Sequence, residues 1–97
     1  MGEPGASEDL ELLEEQVRAL RELAGDRPDG ARIYDFGVRW GTFLAGRLER
    51  LEHYHRSGGL SVDERERYAG LRSRLSEVLP LIEELGLARP RVVPPDD

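Results

Sequence analysis

Apolar residues return at alternating steps of three and four along three stretches of this sequence, a rhythm that admits helices and little else. Leu10, Leu13, Val17, Leu20 and Ala24 form one stripe, widened by Leu12 and Leu23. Ile33, Phe36, Trp40, Phe43 with Leu44, Leu48 and Leu51 mark a second face. Tyr68, Leu71, Leu75, Val78, Ile82 and Leu85 keep step without a slip in a third. A period near 3.6 residues puts each set on one side of an α-helix. No stretch alternates with the period of two that a half-buried strand needs. The expected class is all-α.

Local signals set the expected boundaries. Ser7 is placed to cap a first helix, with Glu8 and Asp9 in its opening turn where the helix dipole favours negative charge. Gly25 is a stop, giving a helix over about 8–24. The turn-rich run Gly25-Asp26-Arg27-Pro28-Asp29-Gly30 leads to a second helix over about 31–56, ended by Ser57-Gly58-Gly59. Ser61 and Glu64 have the spacing of a capping box and open a third helix over about 62–85. Pro80 interrupts it, either as a kink near 76–79 or by starting a short fourth helix. The unbroken stripe favours the kink. A short connector makes the second and third helices an antiparallel hairpin, across which the first packs as a three-helix bundle. Residues 1–7 and the proline-rich acidic tail 88–97 read as flexible flanks of a single domain, 8–87.

Between Ile33 and Ala45 only Asp35, Arg39 and Thr42 are polar. A bundle helix needs an apolar arc a little over ~100° wide, and this segment is apolar around most of its circumference. Gly37, Gly41 and Ala45, four residues apart, form a smooth ridge. Glycine inside a helix costs about 0.5–1 kcal/mol against alanine, so two of them imply close approach by a neighbour. The neighbour is either another helix of the same chain or the second helix of a twofold mate. The apolar excess favours the mate, and the expectation is a homodimer whose seam uses Phe36, Gly37, Trp40, Gly41 and Leu44. Trp40 with Phe36 and Phe43 could form a pocket or a partner hot spot, but ordinary core is the favoured reading of that cluster.

Composition narrows the functional classes. The chain has 97 residues, 35% of them charged, and a net charge of −6, which disfavours nucleic acid and anionic membranes as partners. Arg39, Arg47, Arg50, Arg56, Arg65, Arg67, Arg72 and Arg74 could make a basic stripe, but acids such as Glu49, Glu52, Asp63, Glu64 and Glu66 interrupt it. There is no cysteine, hence no disulfide framework and no thiol chemistry. No apolar run reaches the ~18–20 residues of a membrane span. An acidic N-terminus lacks the pattern of a secretory signal, so a cytoplasmic location is expected. Every base is arginine, in the manner of a GC-rich bacterial genome.

One spacing hints at chemistry. Glu52 and His55 share a helix face, and Glu-x-x-His is the arrangement that ferritin-like di-iron bundles use. A metal-dependent oxidoreductase built on Glu49, Glu52 and His55 would need further carboxylates from Glu11, Glu14 or Glu15. His53 with Arg56 and Gly58 only loosely imitates a phosphotransfer histidine, and no glycine loop could cradle a phosphate. By elimination the expected function is a non-enzymatic interaction module without a cofactor. It would be regulatory or adaptor in role, homodimeric, and met by a protein partner still to be identified.

Overall fold

The structure, a computed structural model, describes residues 5–91 and is all-α. In order come α1 (Ala6–Gly25), α2 (Gly30–Phe43), a π-helical turn (Leu44–Leu48), α3 (Glu49–Ser57), α4 (Val62–Glu77) and α5 (Leu79–Glu84). α2, the π turn and α3 continue one another as a single rod, about 42 Å long at 1.5 Å per residue. α1 is the hub. It packs most closely on α4 and also touches α2, the π turn, α3 and α5. The core lies on its inner face, where Leu10, Leu13, Val17 and Leu20 meet Trp40, Leu48, Leu51, Tyr68, Leu71 and Ile82.

The start of α1 differs from expectation. Its cap is Gly5, with a left-handed φ of 85°, and the Gly5 carbonyl accepts from the Asp9 N–H at 2.9 Å. Ser7 lies inside the helix, where its hydroxyl accepts from Arg67 at 3.2 Å. Ala6 is fully buried, so residues 6 and 7 belong to the folded unit rather than to a flexible flank. Residues 1–4 lie outside the described part. At the other end the helix includes Gly25, and the left-handed residue is Arg27 (φ 51°). The Asp29 side chain then caps α2 by accepting from the Arg32 N–H at 2.9 Å.

The π turn answers a detail of the sequence. Phe36, Trp40, Leu44 and Leu48 follow one another in steps of four. At about 100° per residue each such step overshoots a full turn by about 40°, so three would swing Leu48 away from the core. A π turn has more residues per turn and takes up the drift. Leu44, Leu48 and Leu51 are consequently all buried.

α3 stops at Gly58 (φ 78°), with the Gly59 N–H bonded back to the Tyr54 carbonyl at 2.8 Å. The capping box of α4 is complete: the Ser61 hydroxyl accepts from the Glu64 N–H at 3.2 Å, and the Glu64 carboxylate accepts from the Ser61 N–H at 2.9 Å. Near Pro80 the helix is broken rather than kinked. Val78 ends α4 at φ −93° and ψ 4°, and proline falls in the first turn of α5, where its missing N–H is not required. Val78 serves both helices, donating to the Arg74 carbonyl and accepting from the Ile82 N–H. Leu75, Val78 and Ile82 therefore stay buried across the break.

Gly86 (φ 69°) closes α5 with a paired bond set, Gly86 N–H to Glu83 carbonyl at 3.2 Å and Leu87 N–H to Ile82 carbonyl at 2.9 Å. Burial of both Leu87 and Ile82 completes this Schellman turn. It sends the following residues back along α2. The expected tail thus has two parts: Ala88–Arg91 form a strap over the rod, and 92–97 lie outside the described residues.

Candidate interaction surface

The small-residue ridge of α2 receives that strap, which has no regular secondary structure. A Cβ added at Gly37 would stand 3.2 Å from the Leu87 Cδ2, tighter than ordinary contact, so a side chain there would press on Leu87 in its seat. One turn on, the Trp40 indole N–H donates to the Ala88 carbonyl at 2.8 Å. Gly41 and Ala45 line the edge of the strap with Ala88, Arg89 and Arg91. A Cβ at Gly41 would meet nothing within 4 Å, so the close neighbour lies at Gly37 and not at Gly41.

This arrangement revises the seam expected from sequence. Trp40 is 1% exposed, and Phe36 and Leu44 are buried with it. Phe36 stacks on Trp40 with ring centroids 5.8 Å apart. All three belong to the core of the single chain. Gly37 and Gly41 are half-buried beside the strap. The apolar girdle is therefore largely covered by α1 within and by residues 85–91 alongside, the latter a cover that no periodic pattern announces.

What stays open is the opposite side of α2. Tyr34 is 72% exposed and Val38 54%, one helical turn apart. Beside them runs a groove of about 400 Å³, whose walls are Ile33, Tyr34, Gly37 and Val38 on one side and Leu85–Ala88 on the other. Ala31, Asp35, Arg39 and Thr42 flank the same face and are exposed.

The Glu-x-x-His spacing leads elsewhere. The half-buried Glu52 carboxylate accepts from the Tyr68 hydroxyl at 2.5 Å and pairs with Arg56 at 3.4 Å. The His55 ring lies 5.2 Å from that of Tyr68, and its Nε2 is 3.4 Å from an Arg72 nitrogen. Arg72 also lies over the Tyr68 ring. Burial first, and the bond to Glu52 second, push the Tyr68 phenol well above its ordinary pKa. Glu49 is exposed at the edge of the strap. Glu14, one of the carboxylates a metal site would borrow, is held by Arg67 at 3.0 Å and Arg74 at 3.9 Å. Among the described residues no three His, Asp or Glu side chains gather as metal ligands. The cluster joins α3 to α4 near their connecting turn.

A second polar constellation escaped sequence reasoning. Asp9 is the buried charged residue of the core, 0% exposed. Arg50 grips its carboxylate with two bonds, Nε to Oδ2 at 2.8 Å and Nη2 to Oδ1 at 2.7 Å, and Arg47 adds a third to Oδ1 at 2.7 Å. The hydrogen bond to Asp9, with its charge, raises the Arg50 pKa further. The clue was available, because Asp9 shares the helical phase of Ala6 and Leu13 and so faces inward. The π turn carries Arg47 and begins the turn that carries Arg50, aiming both at the first turn of α1.

Those pairs also dispose of most of the basic stripe. Arg47 and Arg50 are committed to Asp9, Arg67 and Arg74 to Glu14, and Arg56 to Glu52. No helix among the described residues is long and apolar enough to cross a membrane. Set beside known proteins, the chain matches no family model, no curated protein and no solved structure.

Proposed function

We propose that this protein is a small non-enzymatic interaction module, regulatory or adaptor in role, that self-associates as a homodimer and meets protein partners through the outer face of α2. The observation that carries the reading is the exposure of Tyr34 and Val38 beside the groove bordered by Leu85–Ala88. An exposed tyrosine and valine bordered on one side by charge have the make-up of an interface centre, where aromatic residues concentrate and charged ones retreat to the rim. A cytoplasmic, bacterial setting accords with the cysteine-free, arginine-only sequence. The oxidoreductase alternative draws no support from Glu49, Glu52 and His55, since Tyr68 occupies Glu52.

The test is the solution mass by light scattering across a concentration series, for the wild type and for Tyr34→Glu/Val38→Glu. Both residues are exposed, so the variant keeps its fold, as circular dichroism will verify. The reading expects wild-type mass to rise to twice the chain and the variant to remain single. A wild type that stays single at every concentration and binds no protein refutes it.

A further inference from the structure

We infer that a second copy of the chain docks on the outer face of α2 in antiparallel, twofold order, with Asp35 of each chain set against Arg39 of the other. The inference rests on the interaction reading above and specifies the occupant of the face.

Three observations carry it. First, two of the exposed large apolar residues, Tyr34 and Val38, lie together on the rod well before the π turn at Leu44, whereas Val62 stands apart at the start of α4. Second, the flanking charges lie on one side only. At about 100° per residue, Val38 lies about 40° around from Tyr34, Asp35 about 100° and Arg39 about 140° in the same sense. The other flank holds Gly37 and Gly41 and is bordered by the strap. Third, Asp35 and Arg39 are both exposed, and among the described residues neither has an ion-pair partner. The acids and bases around Asp9, Glu14 and Glu52 are by contrast matched within the chain.

Geometry then selects the order. When two helices pair antiparallel about a twofold axis, like flanks face each other. An axis level with Gly37 brings Asp35 opposite Arg39 of the second copy, and by symmetry Arg39 opposite its Asp35. Both pairs form at once, and Tyr34 of each chain reaches towards Val38 of the other. Parallel pairing would set the charged flank against the uncharged glycine flank and its strap, leaving all four charges without partners. A surface patch of this kind is self-complementary in one orientation, as a twofold contact requires.

Charge reversal tests the order. Asp35→Arg and Arg39→Asp are each prepared alone, together in one chain, and as an equal mixture of the two single variants. Each single variant turns two attractions into two repulsions and should weaken self-association about tenfold or more. The doubly reversed chain should regain wild-type association, because the pairs are merely exchanged. The mixture should form heterodimers, visible by native mass spectrometry, in preference to either homodimer. A wild-type dimer indifferent to all of these changes overturns the antiparallel pairing while leaving the interaction reading intact. A wild type that never dimerises overturns the pairing as well, and then the search for a foreign partner alone tests the broader reading.

Discussion

The Trp40 indole N–H and the Ala88 carbonyl, 48 positions apart in the chain, meet at 2.8 Å and fasten the C-terminal strap to the middle of α2. The bond settles two needs together. A buried indole needs an acceptor, and a non-helical segment lying on a helix needs somewhere to direct its backbone groups. Leu87 supplies the apolar half of the same fastening by filling the space above Gly37. Leu87 thus belongs to the core, and the exposed strap that follows it is tied to α2 through the Ala88 carbonyl.

Removing it should expose the tryptophan. Trp40 is the single tryptophan of the chain, so its emission reports the site without ambiguity. Deletion of residues 87–97 should shift that emission to the red and lower the denaturation midpoint. Leu87→Ala in the full chain should cost about 2–3 kcal/mol, the lower part of the range for a leucine truncated in a core. An unchanged emission maximum in the deletion would contradict the strap's role.

The two glycines of α2 should respond in opposite ways. At Gly41 a methyl group enters open space, so Gly41→Ala should stabilise the fold by about 0.5–1 kcal/mol through helix propensity alone. At Gly37 the same change presses on Leu87 at 3.2 Å, and the propensity gain should be cancelled or reversed. Thermal midpoints of the two variants check the contrast directly. Equal stabilisation at both positions would mean that the strap does not need Gly37.

Asp9 makes a third comparison possible. Deleting both arginines, as Arg47→Ala/Arg50→Ala, leaves a buried carboxylate with neither of its guanidinium partners. Asp9→Asn removes the charge itself, and the two arginines, each partly exposed, can turn to water. The double arginine variant should thus have the lower urea midpoint. The reverse ranking would show that the carboxylate is better solvated than its burial implies.

Tyr68 gives a pH dependence with a definite sign. Its folded pKa is raised, so the stability it contributes is complete below the unfolded value near 10. Above about pH 10 the unfolded phenol ionises while the native one does not. Stability should then fall, approaching about 1.4 kcal/mol per pH unit from this group. Denaturant midpoints between pH 9 and 11 should show that slope in the wild type, and Tyr68→Phe should lack this share of it.

Much of this architecture is legible from residue order. The apolar stripes locate every long helix, the Ser61 and Glu64 pair marks the start of α4, and Gly58 and Gly86 mark stops that the structure keeps. The failures have physical causes. The stripe through Pro80 stays in phase because Val78 belongs to both helices, so periodicity cannot register the break between α4 and α5. Three successive steps of four, from Phe36 to Leu48, encode the π turn, yet they pass for ordinary helical spacing unless the drift is summed. The strap has no period at all, and Leu87 followed by prolines looks like loose tail. Without it, the segment around Trp40 appears to have too much apolar surface for one chain. Asp9 sits in the first turn, where an acid needs no further explanation, yet its helical phase points it inward.

α2 thus has a buried inner side, fastened by the strap, and an exposed outer side proposed to receive a second copy. Amide and indole resonances followed by NMR through a dilution series test both halves together. Concentration-dependent shifts are expected at Ala31, Tyr34, Asp35, Val38, Arg39 and Thr42, with the Trp40 indole N–H unmoved. Shifts centred on the Trp40 indole and Phe36, or a spectrum that ignores concentration altogether, would rule this arrangement out.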